Sequence, residues 1–123
     1  MILGIGTDLI ELSRVKRFGV ERLADRILSE AEKEWGGVET RRLEWIAGRF
    51  TAKEAVAKAA GTGIGGVMGF RDIRVLTDDR GQPFARLSEK SSHTLGWKGD
   101  VAVHLSITHT DTMAAAFVVI EQC

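Results

Sequence analysis

A single cysteine, Cys123 at the carboxyl end, is all the chain carries. No disulfide can close within it and no cysteine cluster can hold zinc, so a reducing, cytoplasmic home is expected. Neither sign of charge is in surplus: 17 Lys and Arg balance 17 Asp and Glu, which removes any global attraction to nucleic acid or to an anionic membrane. Electrostatic recognition must therefore be local. The chain has no aromatic stacking runs of the kind that hold single-stranded RNA. No apolar run nears the roughly 20 residues of a membrane helix, and the N-terminus lacks the charged start and cleavage site of a signal peptide. Repeats, low-complexity stretches and linkers are absent too. With 123 residues, 44% of them apolar, the chain reads as one domain, 1–123, with a small core.

What is present is a succession of short periodic segments. Residues 2–9 form an apolar, glycine-punctuated strand. Residues 11–18 and 20–28 carry amphipathic helical patterns, broken near Gly19, with Leu12, Val15, Phe18, Leu23 and Ile27 on the apolar stripe. Ser29 with Glu32 makes a capping box for a further short helix ending at Gly36-Gly37. A long helix is expected over 40–60, with Gly61 at its C′ position. Residues 68–77 and 83–87 read as two strands around the turn Asp78-Asp79-Arg80-Gly81. Residues 101–108 alternate, with His104, Ser106 and Thr108 on the polar face. Residues 113–120 do not alternate, and a strand buried on both faces is expected there. That asks for an oligomer or a central position under the long helix. The fold class is α+β, a small antiparallel sheet packed on a long helix and short N-terminal helices.

Two carboxylates stand out within these elements. Glu54 falls on the helical stripe of Leu43, Ala47 and Phe50, where an unpaired charge would cost several kcal/mol or be neutralised. Asp8 ends the apolar run Met1-Ile-Leu-Gly-Ile-Gly-Thr-Asp8. A shared hard cation is the natural way to keep two such acids ionised. Alternatives stand beside this: Glu54 also has Lys58 at ion-pair spacing on the helix, and Asp8 suits a helix N-cap or an Asx turn. Lys58, one turn on, is placed to offset charge on a departing phosphate, and Arg49 suits phosphate oxygens or a surface ion pair. His93, in an expected loop, His104 and His109 make no zinc geometry. Arg14, Lys16, Arg17, Arg22 and Arg26 outnumber Glu21 and Asp25 on the early helices, a local basic surface in a chain with no net charge.

The ordered motifs Gly4-Ile-Gly-Thr-Asp8 with Arg14, Gly48-Arg-Phe-Thr-Ala-Lys-Glu-Ala-Val-Ala-Lys58 running into Gly61-Thr-Gly-Ile-Gly65, and His104-Leu-Ser-Ile-Thr-His109 span the chain. Together they resemble the holo-acyl-carrier-protein synthases, a phosphopantetheinyl transferase family. The resemblance implies transfer of the 4′-phosphopantetheine arm of coenzyme A to a serine of apo acyl carrier protein. It implies Asp8 and Glu54 as magnesium ligands, with Glu54, Lys58 and His104 in the reaction. It also places coenzyme contacts on Arg49, Gly61, Gly63, Gly65, His104 and Ser106. An acidic carrier protein is expected to dock on Arg14, Arg22 and Arg26 with Leu23 as the apolar contact. A homotrimer with clefts between subunits is expected as well. The pattern departs from the family's at Gln82, Thr108 and Met113. The carboxylates alone also permit another magnesium-dependent nucleotide phosphotransferase, and the basic helices alone permit a non-catalytic module that binds acidic proteins.

Overall fold

The computed structural model describes residues 1–35 and 42–123; the expected stop at Gly36-Gly37 and the expected start of the long helix at Thr40 lie outside them. Strand β1, Ile2–Glu11, runs directly into α1, Leu12–Phe18. Gly19, at φ 108°, breaks the helix and α2, Val20–Ile27, starts on its far side, as a residue without a Cβ permits. The Ser29 hydroxyl accepts from the Glu32 amide at 3.3 Å while the Glu32 carboxylate accepts from the Ser29 amide at 3.0 Å. This reciprocal pair starts α3, Glu30–Trp35.

Helix α4, Arg42–Ala59, is the spine of the molecule. Its buried residues run nearly all the way round, from Ile46 and Ala47 through Thr51, Ala52, Ala55 and Val56 to Ala59, as befits a helix enclosed by other elements. Its C-terminal half packs with Val118 and Ile120 and with Ile73, Val75 and Ala85; its N-terminal half packs with Leu12, Val15, Leu23, Ala24 and Ile27. The helix stops in a Schellman arrangement, Gly61 N–H donating to Lys58 O and Thr62 N–H to Ala57 O at 3.0 and 3.1 Å, with Gly61 at φ 79°.

Residues 68–72 are not extended, contrary to expectation. Phe70–Asp72 form a 3₁₀ turn, because the Asp72 carboxylate accepts from the Gly69 amide at 2.9 Å and closes the chain on itself. Strands β2, Ile73–Thr77, and β3, Pro83–Leu87, pair antiparallel around the Asp78 turn. An unanticipated helix, α5, Glu89–Thr94, follows, its first turn capped by Ser88. His93 thus lies in a helix rather than a loop.

Strands β4, Val101–His109, and β5, Met113–Gln122, form a hairpin, and β1 pairs with the other side of β5, giving the antiparallel order β1-β5-β4. Strand β5 is central, yet only one of its faces is buried. Ala114, Ala116, Val118 and Ile120 face α4, while the other face leaves Phe117 47% exposed beside Ile5 and Leu9 of β1, both above 60%. The expected double burial is thus half met within one chain. What covers β5 is α4, and the opposite face is an open apolar surface.

Candidate active site

Two glycines set the site. A Cβ on Gly4 would stand 1.7 Å from the Ala59 carbonyl oxygen, and one on Gly6 would stand 1.9 Å from that of Ala55. Strand β1 therefore lies on the α4 backbone with no side chain between them. That approach sets Asp8, two residues beyond Gly6, over the last turns of α4. Its carboxylate accepts a hydrogen bond from the Lys58 ammonium at 3.2 Å, and its side chain is 16% exposed against 54% for Lys58. Glu54, one turn before Lys58, is half-buried. Burial raises its pKa above the usual carboxylate range, the nearby Asp8 charge adds to this, and Lys58 partly offsets both.

Both of the acids and Lys58 thus meet in one place. Among the described residues no group of three or more His, Cys, Asp and Glu surrounds a common point. The donor set is two carboxylates, hard oxygens, with an ionisation cost on Glu54 that a cation would relieve. It suits magnesium, which keeps waters and takes phosphate oxygens, better than a metal that needs an all-protein cage.

Beside the cluster lies a cleft of about 560 Å³, lined by Asp8 and Lys58 at one side and by Thr7, Leu9, Ser106, Thr108 and Phe117 from the open face of the sheet. Ser106 and Thr108 thus reach the site. His104 does not reach it within one chain: it lies on the open face, three residues along β4 from the Ile107 that pairs, through Ala116, with Asp8. There its Nε2 meets the Glu121 carboxylate at 3.0 Å.

Arg49 sits elsewhere on α4, buried, with its guanidinium 4.5 Å from the Trp45 ring centroid and donating to the Thr77 hydroxyl at 2.9 Å. Its Nε has no partner among the described residues. It faces a separate cavity of about 280 Å³ with Pro83, Ile107 and His109. Gly61 and Gly63 hold left-handed φ values of 79° and 63°, and a Cβ on either, or on Gly65, would meet nothing within 4 Å. These three line open space after the helix.

The early helices form a second concavity, about 340 Å³, walled by Phe18, Phe50 and Phe70 with the exposed Arg14 and Arg26 at its edge. Leu23, only 6% exposed, is its floor and a core residue, rather than a protruding contact. Arg22 instead lies over the Phe18 ring at 4.7 Å. Phe70 had no signal in the sequence, since only the 3₁₀ turn brings it to this wall.

A profile of the 4′-phosphopantetheinyl transferase superfamily matches residues 4–116, the stretch that holds Asp8, Glu54, Lys58, Ser106 and Thr108. The chain belongs to that family. Among its relatives, the holo-[acyl-carrier-protein] synthase of Bacillus cereus is 46% identical over 98% of this chain and 97% of its own. The crystal structure of the Bacillus anthracis synthase in complex with CoA (3′,5′-ADP) is 43% identical, superposes with a TM-score of 0.83, and covers 100% of this chain and 99% of that one. The Neisseria meningitidis synthase is 39% identical with a TM-score of 0.84 over 99% of this chain and 100% of its own. Membership in the phosphopantetheinyl transferases spans the whole chain, cluster and groove included.

Proposed function

We propose that the protein transfers the 4′-phosphopantetheine arm of coenzyme A to a serine of apo acyl carrier protein, releasing adenosine 3′,5′-bisphosphate, with magnesium. The observation that carries this reading is the convergence of Asp8, Glu54 and Lys58 beside a cleft that Asp8 and Lys58 line, in a chain of this family. The incoming serine oxygen bonds to the phosphorus that bears the pantetheine arm. The pyrophosphate bridge breaks, and the bridging oxygen leaves with the adenosine half. Asp8 and Glu54 would hold the magnesium, which when bound neutralises pyrophosphate charge. The Lys58 ammonium offsets the charge that grows on the departing phosphate. Glu54, beside Lys58 on the same helix, is placed to take the serine proton, directly or through a bound water. Mass spectrometry of an apo carrier protein incubated with this protein, coenzyme A and magnesium tests the reading. A gain of one phosphopantetheine arm is expected, and no gain would overturn it.

The open apolar face of the sheet supports a homotrimer. Ile5, Leu9 and Phe117 share that face with His104, Ser106 and Thr108. Covering it with a neighbour buries apolar side chains and carries His104 to another subunit's cluster. The same assembly lets Arg49 and the 61–65 segment contact a coenzyme held between subunits, with the guanidinium on a phosphate. Light scattering after size exclusion is expected to report a trimer for the wild type. Phe117→Glu is expected to give a monomer with little transfer activity; a fully active monomer would refute the shared cleft.

The groove of Phe18, Phe50 and Phe70 edged by Arg14 and Arg26 suits an acidic carrier protein, apolar contact inside and positive charge outside. Arg14→Glu with Arg26→Glu is expected to weaken carrier binding by roughly 2 kcal/mol or more. Coenzyme affinity, measured by calorimetry, should stay as in the wild type.

A further inference from the structure

Among the described residues Lys53 is the largest fully buried side chain, an ammonium at 0% exposure, and neither the metal chemistry nor the docking surface uses it. It donates three hydrogen bonds: to the Ile27 carbonyl at 2.5 Å, to the Glu32 carboxylate at 2.7 Å and to the Phe70 carbonyl at 3.0 Å. Glu32, equally buried, accepts from the Ser29 amide at 3.0 Å with one oxygen and from the Val75 amide at 3.1 Å with the other. One ion pair thus joins α2, α3, α4, the 3₁₀ turn and β2.

The carbonyls that Lys53 holds are not arbitrary. Ile27 is the last residue of α2, and its carbonyl is an orphan acceptor of that helix end. Its neighbour Arg26 edges the groove. Phe70 is itself a wall of the groove. A second strut runs alongside, the Arg71 guanidinium donating to the Asp25 carbonyl at 2.8 Å. On the other side, the residue after Lys53 is Glu54. The two groove segments contributed by α2 and the 3₁₀ turn are therefore fastened, through one ammonium, to the helix position beside the reacting carboxylate.

We propose that Lys53 and Glu32 are positioning residues for carrier recognition, holding the docking groove in register with the acidic cluster. The inference rests on the proposed carrier docking and adds what aligns it. A buried pair of this kind contributes little net stability against well-packed apolar groups, whereas removing one partner alone strands a charge. Its position at a junction between two sites is accounted for by alignment.

The test uses the Lys53→Met/Glu32→Gln double variant, which leaves no stranded charge and keeps one carbonyl acceptor at position 32 for the Ser29 or the Val75 amide. It is expected to fold, to melt within a few degrees of the wild type, and to raise KM for the carrier about tenfold with kcat and the KM for coenzyme A nearly unchanged. An unchanged carrier KM, or a loss shared equally between carrier and coenzyme, would make the pair merely structural and overturn the proposal. Lys53→Met alone, with its stranded Glu32, should melt well below the double variant; equal melting would mean that the two groups are not coupled. Carrier affinity by surface plasmon resonance, without coenzyme, separates this inference from the transfer reading. A wild type that binds carrier but does not modify it overturns the reading, while a tenfold weaker affinity in the double variant still upholds the positioning role. Undiminished affinity there overturns that role whatever the turnover.

Discussion

Glu54→Gln is expected to abolish transfer, by on the order of 10²–10³-fold in kcat, and yet to raise the melting temperature of the metal-free protein at neutral pH. The two effects share a cause. Burial first, then the Asp8 charge, holds the Glu54 pKa in the fold above its unfolded value. For an acid shifted upward, the unfolded chain releases its proton first, so the fold loses stability as pH climbs from the unfolded pKa, about 4.3 for Glu, to the folded one. Above the folded pKa the whole penalty is present. The gain from Gln should therefore be full near neutral pH and fade to nothing below about pH 3, where Glu54 is protonated in both states. Magnesium should raise the wild-type melting temperature and barely move that of the variant. Differential scanning calorimetry across this range, with and without magnesium, reads all three. A variant destabilised at neutral pH would mean that Glu54 is held by a partner in the metal-free fold.

Local signals in the sequence translated well into structure, and tertiary ones did not. The Ser29–Glu32 capping box and the Gly61 stop depend on residues a few positions apart, so their chemistry is readable along the chain. The alternation of β4 correctly separated Ser106 and Thr108, which reach the cleft, from Ile107, which faces the core. It carried no information on how far along the face His104 lies from Asp8, because that is set by strand register. The Phe70 wall depended on Asp72 closing a turn where extended chain was expected. The apolar runs of β5 were legible as two apolar faces, but a chain's own sequence does not say which face its own helix covers. Glu32 was legible only as the partner of Ser29 in a cap and Lys53 carried no signal of its own; the two are 21 residues apart, and only the packing of five elements buries them together.

The glycines of the first motif were legible as a pattern and not as a reason, and the reason predicts the largest loss of stability. Gly6→Ala is expected to destabilise the protein by about 3 kcal/mol or more, a drop on the order of 10 °C in melting temperature, and to remove most transfer activity. The added methyl would stand 1.9 Å from the Ala55 carbonyl oxygen, a backbone atom of an enclosed helix that cannot rotate away. Strand β1 must lift from α4. Asp8, two residues on, then moves from Lys58 and Glu54, so the loss of activity should exceed what the population of unfolded protein explains. Gly66→Ala is the control: a Cβ there meets nothing within 4 Å, and a change within about 0.5 kcal/mol is expected. Urea unfolding of both variants, with turnover measured well below their midpoints, decides the matter. Wild-type stability in Gly6→Ala would mean that β1 does not rest on the helix backbone. Wild-type turnover in a destabilised Gly6→Ala would mean that Asp8 owes its place to something other than this contact.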